Sequence, residues 1–368
     1  MRQLTHLLLI LCLTHLGAAT YYLDAANGLD TNPGTSSEPW QTLARAMINY
    51  SGSPKPAYGD TVLLKNGDYG SFNLPNSALT EYTGSLSDSL PTDQEYIVYK
   101  AAAGQTRVTM SSIVFNLGTK MYIVAHEFDG ISITDATWHT VHIEGSMGVR
   151  IKNMTLKGIT DPDTLYEHKT VYSMVVIDKP SSDITISGCE ITGGYDGIDV
   201  LGWNCNIRIL NNKIHHVGVD KIKSGGGVNM LIEGNEIYGN SYLTSEHPDC
   251  IQFYTAANRY GVSARFTNLT IRNNYIHDHS SQGLWTGGSY LENVVFENNL
   301  MHNLGNYEWR VYNVHGGIIR NNTIIANKIG NTGFVIYGGI YGDAGDENGE
   351  LDSLPRNSDL TVVNNIFA

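Results

Sequence analysis

Charge is scarce in this chain. Asp, Glu, Lys and Arg make up 16% of the residues, and acids outnumber bases by 36 to 23, for a formal net charge of −13. A chain so poor in cations is not built for nucleic acid or an anionic membrane, both of which are held through Lys and Arg at phosphates. An acidic polysaccharide stays open as a partner, because a metal ion or a few Lys and Arg can reverse the field inside a groove. Cysteine is equally sparse: Cys12 lies in the N-terminal segment, leaving Cys189, Cys205 and Cys250, an odd set without metal-ligand spacing. A disulfide framework is therefore not expected. The apolar run 7–13 is too short to cross a membrane. With Arg2 before it and Gly17-Ala18-Ala19 after it, residues 1–19 read as a secretory signal, so the mature protein starts near Thr20 and works outside the cytoplasm. No linker divides residues 20–368, which read as one domain and a monomer. No capping segment follows the last apolar phrase, 360–367, so the chain reads as a solenoid cut short at Ala368.

What is abundant is repetition. A run of alternating apolar residues, then Asn-Asn or Gly-Asn, then a short second run, recurs from Ile207, Met230, Leu269, Val294 and Gly317. The second Asn of each phrase falls at 212, 235, 274, 299 and 322, in steps of 23, 39, 25 and 23 residues. A period of this size marks a solenoid, and the long step is one period plus an insertion. Period-two alternation makes each phrase a strand, with Ile207, Ile209, Val294 and Phe296 inward and Arg208 and Val295 outward. Asn turns the chain, because it tolerates left-handed backbone angles. One coil cannot bury its apolar face alone, but stacked coils can, strand on equivalent strand. The fold class expected is all-β, a parallel β-helix whose second asparagines form a buried ladder, with Cys189 in an equivalent place. Insertions at 161–170, 240–248, 255–267 and 337–358, and a polar loop at 76–94, project from the coils and can wall a cleft.

The opening, Asp24-Ala25-Ala26-Asn27-Gly28 through Gly34-Thr35 and then Pro39-Trp40-Gln41-Thr42-Leu43, resembles that of secreted right-handed parallel β-helix proteins of the pectate-lyase-like superfamily. The resemblance implies an N-terminal capping helix, here about 42–49, over the open end of the core. Tyr195-Asp196-Gly197-Ile198-Asp199 is similar to the Tyr-Gly-Ile-Asp phrase of mannuronan epimerases, with one residue more. The superfamily implies polysaccharide lyases, glycoside hydrolases and uronate epimerases.

Aligning the short second strands places Asp196, Asp220 and Asp249 in adjacent coils. The apolar residue of each strand faces in, so both its neighbours are expected to face out. One exposed row would then hold Asp199, Lys223, Gln252, Trp285 and Tyr312, with Lys221 and Arg310 beside it. Stacked carboxylates cannot all ionise unpaired, so Asp196, Asp199, Asp220 and Asp249 are candidate ligands for Ca2+. Each Asp can instead cap a turn by accepting a backbone N–H. Glu246 and His247 arrive at the same edge, whereas His215, His216, His277, His279 and His302 read as surface or satisfied residues. The aromatics Trp285, Tyr312, Trp309 and Tyr254, with Gln252, are candidates to hold sugar rings. In the calcium-dependent lyases that the arrangement resembles, clustered Asp bind the ion and a Lys or Arg removes the C5 proton. That implies Lys223 or Lys221 as base, with Arg310 and His247 as further catalytic candidates. Metal-assisted β-elimination of an acidic polysaccharide is the first expectation. A glycoside hydrolase using Asp199 with Asp220 or Asp249, or a non-catalytic carbohydrate-binding solenoid, are the alternatives.

Overall fold

In a computed structural model of the chain, the described residues are 17–92, 94–136, 138–167, 173–254, 265–287, 289–305, 308–325, 334–337 and 358–368. The signal's Arg2 and apolar run, most of the insertion 255–267 and the insertion 338–357 lie outside them. Among the described residues, the strands form three sheets of thirteen, eleven and ten strands, and successive coils pair in parallel. One coil contributes Asn204–Leu210 to the first sheet, Lys213–His215 to the second and Ile222–Ser224 to the third. The next coil repeats the order with Gly227–Glu233, Glu236–Tyr238 and Asp249–Phe253.

Register decides what each side chain meets. Ile209, Ile232, Ile271, Phe296 and Ile319 fall in one column of the first sheet, and all are fully buried. Each contributes about 1.5–3 kcal/mol of apolar burial. The adjacent column, Arg208, Leu231, Thr270, Val295 and Ile318, faces out. A slip of one residue would exchange the two columns, so the pattern fixes the register.

At the first corner the expected asparagine ladder is present. The leading residue of each pair, at Asn211, Asn273, Asn298 and Asn321, has a φ of +52° to +56°, and Gly234 takes this place at +68°. The second asparagine points inward and reaches the coil above. Asn212, Asn235, Asn274 and Asn299 each donate their backbone N–H to the Oδ1 of the next asparagine, at 2.9–3.1 Å. Their Nδ2 groups donate to the same Oδ1 and to a carbonyl in the coil below, as Asn274 does to Asn299 and Ile232. Cys189 starts the ladder by donating its N–H to Asn212. It is reduced and buried, as are Cys205 and Cys250.

A second stack of left-handed residues lies within the first-sheet strands themselves. Asp183, Asn206, Asn229, Asn268 and Asn293 have φ values of +53° to +59° and share one column. Asn229 donates to Asn206, and Asn268 to Asn229, both at 2.9 Å. These asparagines break the pleat in every coil, which bends the sheet. The loop over 76–94 is laced to the N-terminal end of this column. Asn206 Nδ2 donates to the carbonyl of Asp88, and Leu90 N–H donates to Asp183.

The capping helix expected at 42–49 is replaced by a single 3-10 turn, Ala44–Ala46, with Met47 already extended. Tyr50, Ser51, Gly52, Ser53 and Pro54 follow, a run too rich in helix breakers to extend the turn. The end is covered instead by packed side chains. Trp40 is fully buried, stacks on Tyr21 at 4.5 Å, and lies under the Arg45 guanidinium at 4.2 Å. Gly34, at φ +84°, leaves room that a Cβ would take from the Trp40 ring. The polar insertion at 161–170 contains a helix, Pro162–Glu167. Asp161 caps it by accepting the Thr164 N–H at 2.9 Å, and proline occupies its first turn. Its Leu165 joins Tyr195, Val219 and Leu243 in a small cluster apart from the main core.

Candidate functional site

The third sheet carries the candidate residues. Its register places Asp199, Lys223, Gln252, Trp285 and Arg310 in one column. The first four share the expected column, but the row is not uniformly exposed: Asp199 and Gln252 are buried, at 8% each. The fifth is Arg310 and not Tyr312, which lies two residues further and pairs with Tyr337. Both Trp309 and Val311 face inward, and an inward-outward alternation cannot distinguish a shift of two residues. Trp309 is fully buried against Phe296, at 5.4 Å, so it belongs to the core and not to a sugar-binding surface.

Asp196, Asp220 and Asp249 stack in three adjacent coils, as the aligned phrases predict. Asp220 donates its backbone N–H to Asp196 Oδ1 at 3.0 Å, and Asp249 donates its own to Asp220 Oδ1 at 2.8 Å. The turn-capping role is therefore realised across coils. The second oxygens face Lys223, whose Nζ lies 3.6 Å from both Asp196 Oδ2 and Asp220 Oδ2. Asp249 Oδ2 accepts from Gln252 Nε2 at 3.0 Å. Further along, Arg310 donates to Gln282 Oε1 at 3.4 Å and to the Tyr312 hydroxyl at 3.0 Å. The Tyr254 ring centre lies 5.2 Å from Lys223 Nζ.

Burial sets the charge states. The Asp220 carboxyl is pushed up to about 7 by burial and by the Asp196 charge, against the pull of Lys223. Asp249 is raised by burial and by Asp220, and among the described residues its Oδ1 has no hydrogen-bond partner, which suits a protonated acid. Burial pulls Lys223 down, but Asp196, Asp220 and Asp199 together hold its ammonium above the usual lysine range. Lys223 keeps 22% of its side chain exposed, whereas the two acids beside it are almost closed off. The expected base therefore rests as a cation at the surface of an acidic ladder.

The acidic set does not fit a calcium ion. Asp196 Oδ1 and Asp220 Oδ1 accept backbone N–H groups, and Lys223 occupies the space between their outer oxygens. Among the described residues, no three His, Cys, Asp or Glu side chains are placed to hold a metal. The ammonium supplies the positive charge that the stacked carboxylates demand.

Lys221 is not beside the row. It is fully buried, and its Nζ donates to Ser241 Oγ at 2.7 Å and to His279 Nδ1 at 3.0 Å. Ser241 donates its own hydroxyl hydrogen bond to the Val219 carbonyl, and His279 Nε2 lies 3.2 Å from the Pro248 carbonyl. Burial lowers Lys221 to about 8 and His279 to about 3. Lys221 precedes the strand Ile222–Ser224, where the alternation has not begun. At the equivalent Gly197 and Gly283 a Cβ would run into the next coil's carbonyl, of Lys221 or Glu308, and then into the core side chain of Ile214 or Leu304. Residue 221 therefore points inward although its neighbour does too. His247 is exposed at the end of the turn Thr244–Glu246, with φ +56°. Among the described residues, no hydrogen bond or ion pair joins it to Lys223 or the acidic ladder. Glu246 instead accepts from the Tyr195 hydroxyl. The partnership of Ser241 and His279 with Lys221 carries no sequence signal, because all three lie on different coils or corners.

Residues 139–257 and 251–368, more than half of the chain, match the family model described as "Right handed beta helix region". The chain belongs to that family, and its three parallel sheets are those of a right-handed parallel β-helix. No curated protein sequence matches the chain. Among solved structures it is similar to the GH136 lacto-N-biosidase of Eubacterium ramulus, with a TM-score of 0.51 and 12% identity over 95% of this chain and 68% of that one. It is also similar to a rhamnogalacturonan lyase, with a TM-score of 0.53 and 13% identity over 95% of this chain and 87% of that one. At such identities the likeness is one of fold.

Proposed function

We propose that this is a secreted carbohydrate-active protein, a polysaccharide lyase that cleaves a uronate-containing polymer by β-elimination on the outer face of the third sheet. One observation carries the reading. Lys223 is a partly exposed ammonium held in place by two buried carboxylates, and Gln252, Trp285 and Arg310 continue its column. Two cations three coils apart, about 14 Å at ~4.8 Å per coil, suit an acidic chain lying along the column. Trp285 and Gln252 between them suit sugar faces and hydroxyls.

Lys223 pairs with the carboxylate of the bound uronate and stabilises the charge that develops as the C5 proton leaves. Asp199, its register neighbour, accepts that proton. The electron pair forms the C4–C5 double bond, the C4–O bond breaks, and the Tyr254 phenol protonates the departing oxygen. A hydrolase needs two carboxylates facing the sugar. Here Asp220 and Asp249 are shut from solvent, and Asp220 has both oxygens engaged. Export follows from residues 1–19.

Pectate, alginate and rhamnogalacturonan, each with and without chelator, provide the test. The expected result is a gain in ultraviolet absorbance on one polymer, insensitive to chelator, and reduced about 10²–10³-fold in Lys223→Ala. New reducing ends without absorbance would move the activity to hydrolysis, and binding without either product would make the solenoid an adhesive surface.

A further inference from the structure

We propose that the N-terminal coils of the third sheet hold a second sugar-binding site, selective for an uncharged pyranose. Its place as part of the same polymer track rests on the reading of Lys223 above. A cavity of about 390 Å³ opens there, lined chiefly by Trp138, His139, His142, Ser71, Ser112 and Asn116. It lies on the same column as the candidate site: Asn73, Val114, His142, Val176, Asp199 and Lys223 follow one another in register. His142 is thus three coils, about 14 Å, from Lys223, the reach of a short oligosaccharide.

The lining chooses the ligand. Trp138 is 60% exposed, a large apolar face held open to solvent. Its ring meets His139 edge-on at 5.9 Å, and His139 meets His142 at 5.5 Å, so three rings form one wall. His139 is anchored through Nδ1 to the Ser173 carbonyl at 2.7 Å. Burial lowers His139 to about 4, and also lowers His142 against the pull of Asp178. Both imidazoles are neutral at physiological pH. The opposite side offers the hydroxyls of Ser71 and Ser112, which bond each other at 2.9 Å, and the Asn116 amide. Among the described residues that line the cavity there is no Lys or Arg. Glu144, the register partner of Asn116, and Asp178 stand on its flank. A uronate would meet two flanking acids and, among the described lining residues, no cation, whereas a neutral sugar finds a flat ring, hydroxyls and an amide.

Calorimetric titration of the full chain with neutral methyl glycosides (galactoside, xyloside, rhamnoside, N-acetylglucosaminide) and with methyl galacturonoside tests this directly. The expected result is binding of at least one neutral glycoside and none of the uronoside. Affinity should fall about tenfold or more in Trp138→Ala, as loss of an aromatic stacking contact entails, recover in Trp138→Tyr, and persist in Lys223→Ala. Equal binding in Trp138→Ala, preference for the uronoside, or no binding of any glycoside would overturn the proposal. None of these results bears on turnover at Lys223, which the absorbance assay reads separately. Loss of turnover in Lys223→Ala beside a silent cavity would leave the lyase reading standing alone.

Discussion

Two ladders climb this solenoid, and they are built the same way. In each, a side-chain oxygen accepts the backbone N–H of the equivalent residue in a neighbouring coil. In the first the side chain is asparagine, in the second aspartate. An amide offers donor and acceptor together, so the asparagine ladder closes on itself: Nδ2 of each rung serves the next Oδ1 and a carbonyl below. A carboxylate offers acceptors only. The aspartate ladder therefore has oxygens left over, and they must be met by Lys223, by Gln252 or by a proton. The same kind of contact yields a closed scaffold in one place and unmatched oxygens in the other, and the difference is one atom type in the side chain.

The largest expected effect breaks the closed ladder. Asn274→Ala strips the partner from two N–H groups of Asn235 and from the Ile232 carbonyl. With about 1–3 kcal/mol per orphaned buried group, it should cost about 3 kcal/mol or more in denaturant unfolding. A loss below about 1 kcal/mol would show that the amides are interchangeable filling.

Asp220→Asn should do far less, because the new Oδ1 still accepts the Asp249 N–H; the unfolding free energy near pH 7 should stay within about 1 kcal/mol. The variant also sharpens the contrast through pH. Asp220 and Asp249 titrate higher in the folded state than in the unfolded chain. Below the unfolded carboxyl range, both states hold these protons and the stabilising contribution is whole. As pH rises toward about 7 the unfolded chain has given up its protons while the fold still holds them, so stability falls. Asp220→Asn should flatten that fall between about pH 4 and 7. An unchanged slope would place the excess protons elsewhere.

The smallest effect separates the two lysines. Lys221→Met exchanges one buried, lowered ammonium for an apolar chain of similar length, a change that is often neutral or stabilising. Turnover should remain within about twofold of wild type, while Lys223→Ala loses it. A comparable loss in Lys221→Met would return that residue to the chemistry.

The first sheet and its corner were legible in the sequence because period and punctuation agree there. The alternating phrases carry their own register, and each ends on the same asparagine. The acidic column was legible for the same reason, since Asp196, Asp220 and Asp249 precede an isoleucine by equal distances. Failures fall where that agreement stops. Arg310 and Tyr312 are not separable by pattern, because either Trp309 or Val311 satisfies the alternation. Lys221 escapes the pattern because strand parity does not hold one residue before the strand. The asparagines at 206, 229, 268 and 293 went unread, because a single left-handed residue inside a strand leaves the apolar pattern intact. The cap leaves no such pattern, because its cover comes from Trp40 and Arg45 and not from a helix.

The closed amide stack has a consequence for how such a molecule can change its length. Each coil brings one amide that takes from the rung below what it gives to the rung above, so a whole coil can be added or removed and every remaining group still finds a mate. The acidic stack has less freedom: among its three coils only that of Asp220 carries its own ammonium, Lys223, so a second copy of the Asp196 or Asp249 coil would bring a carboxylate without one. Growth by duplication of coils is therefore open along the amide stack and restricted at the coils that carry residues 196 and 249.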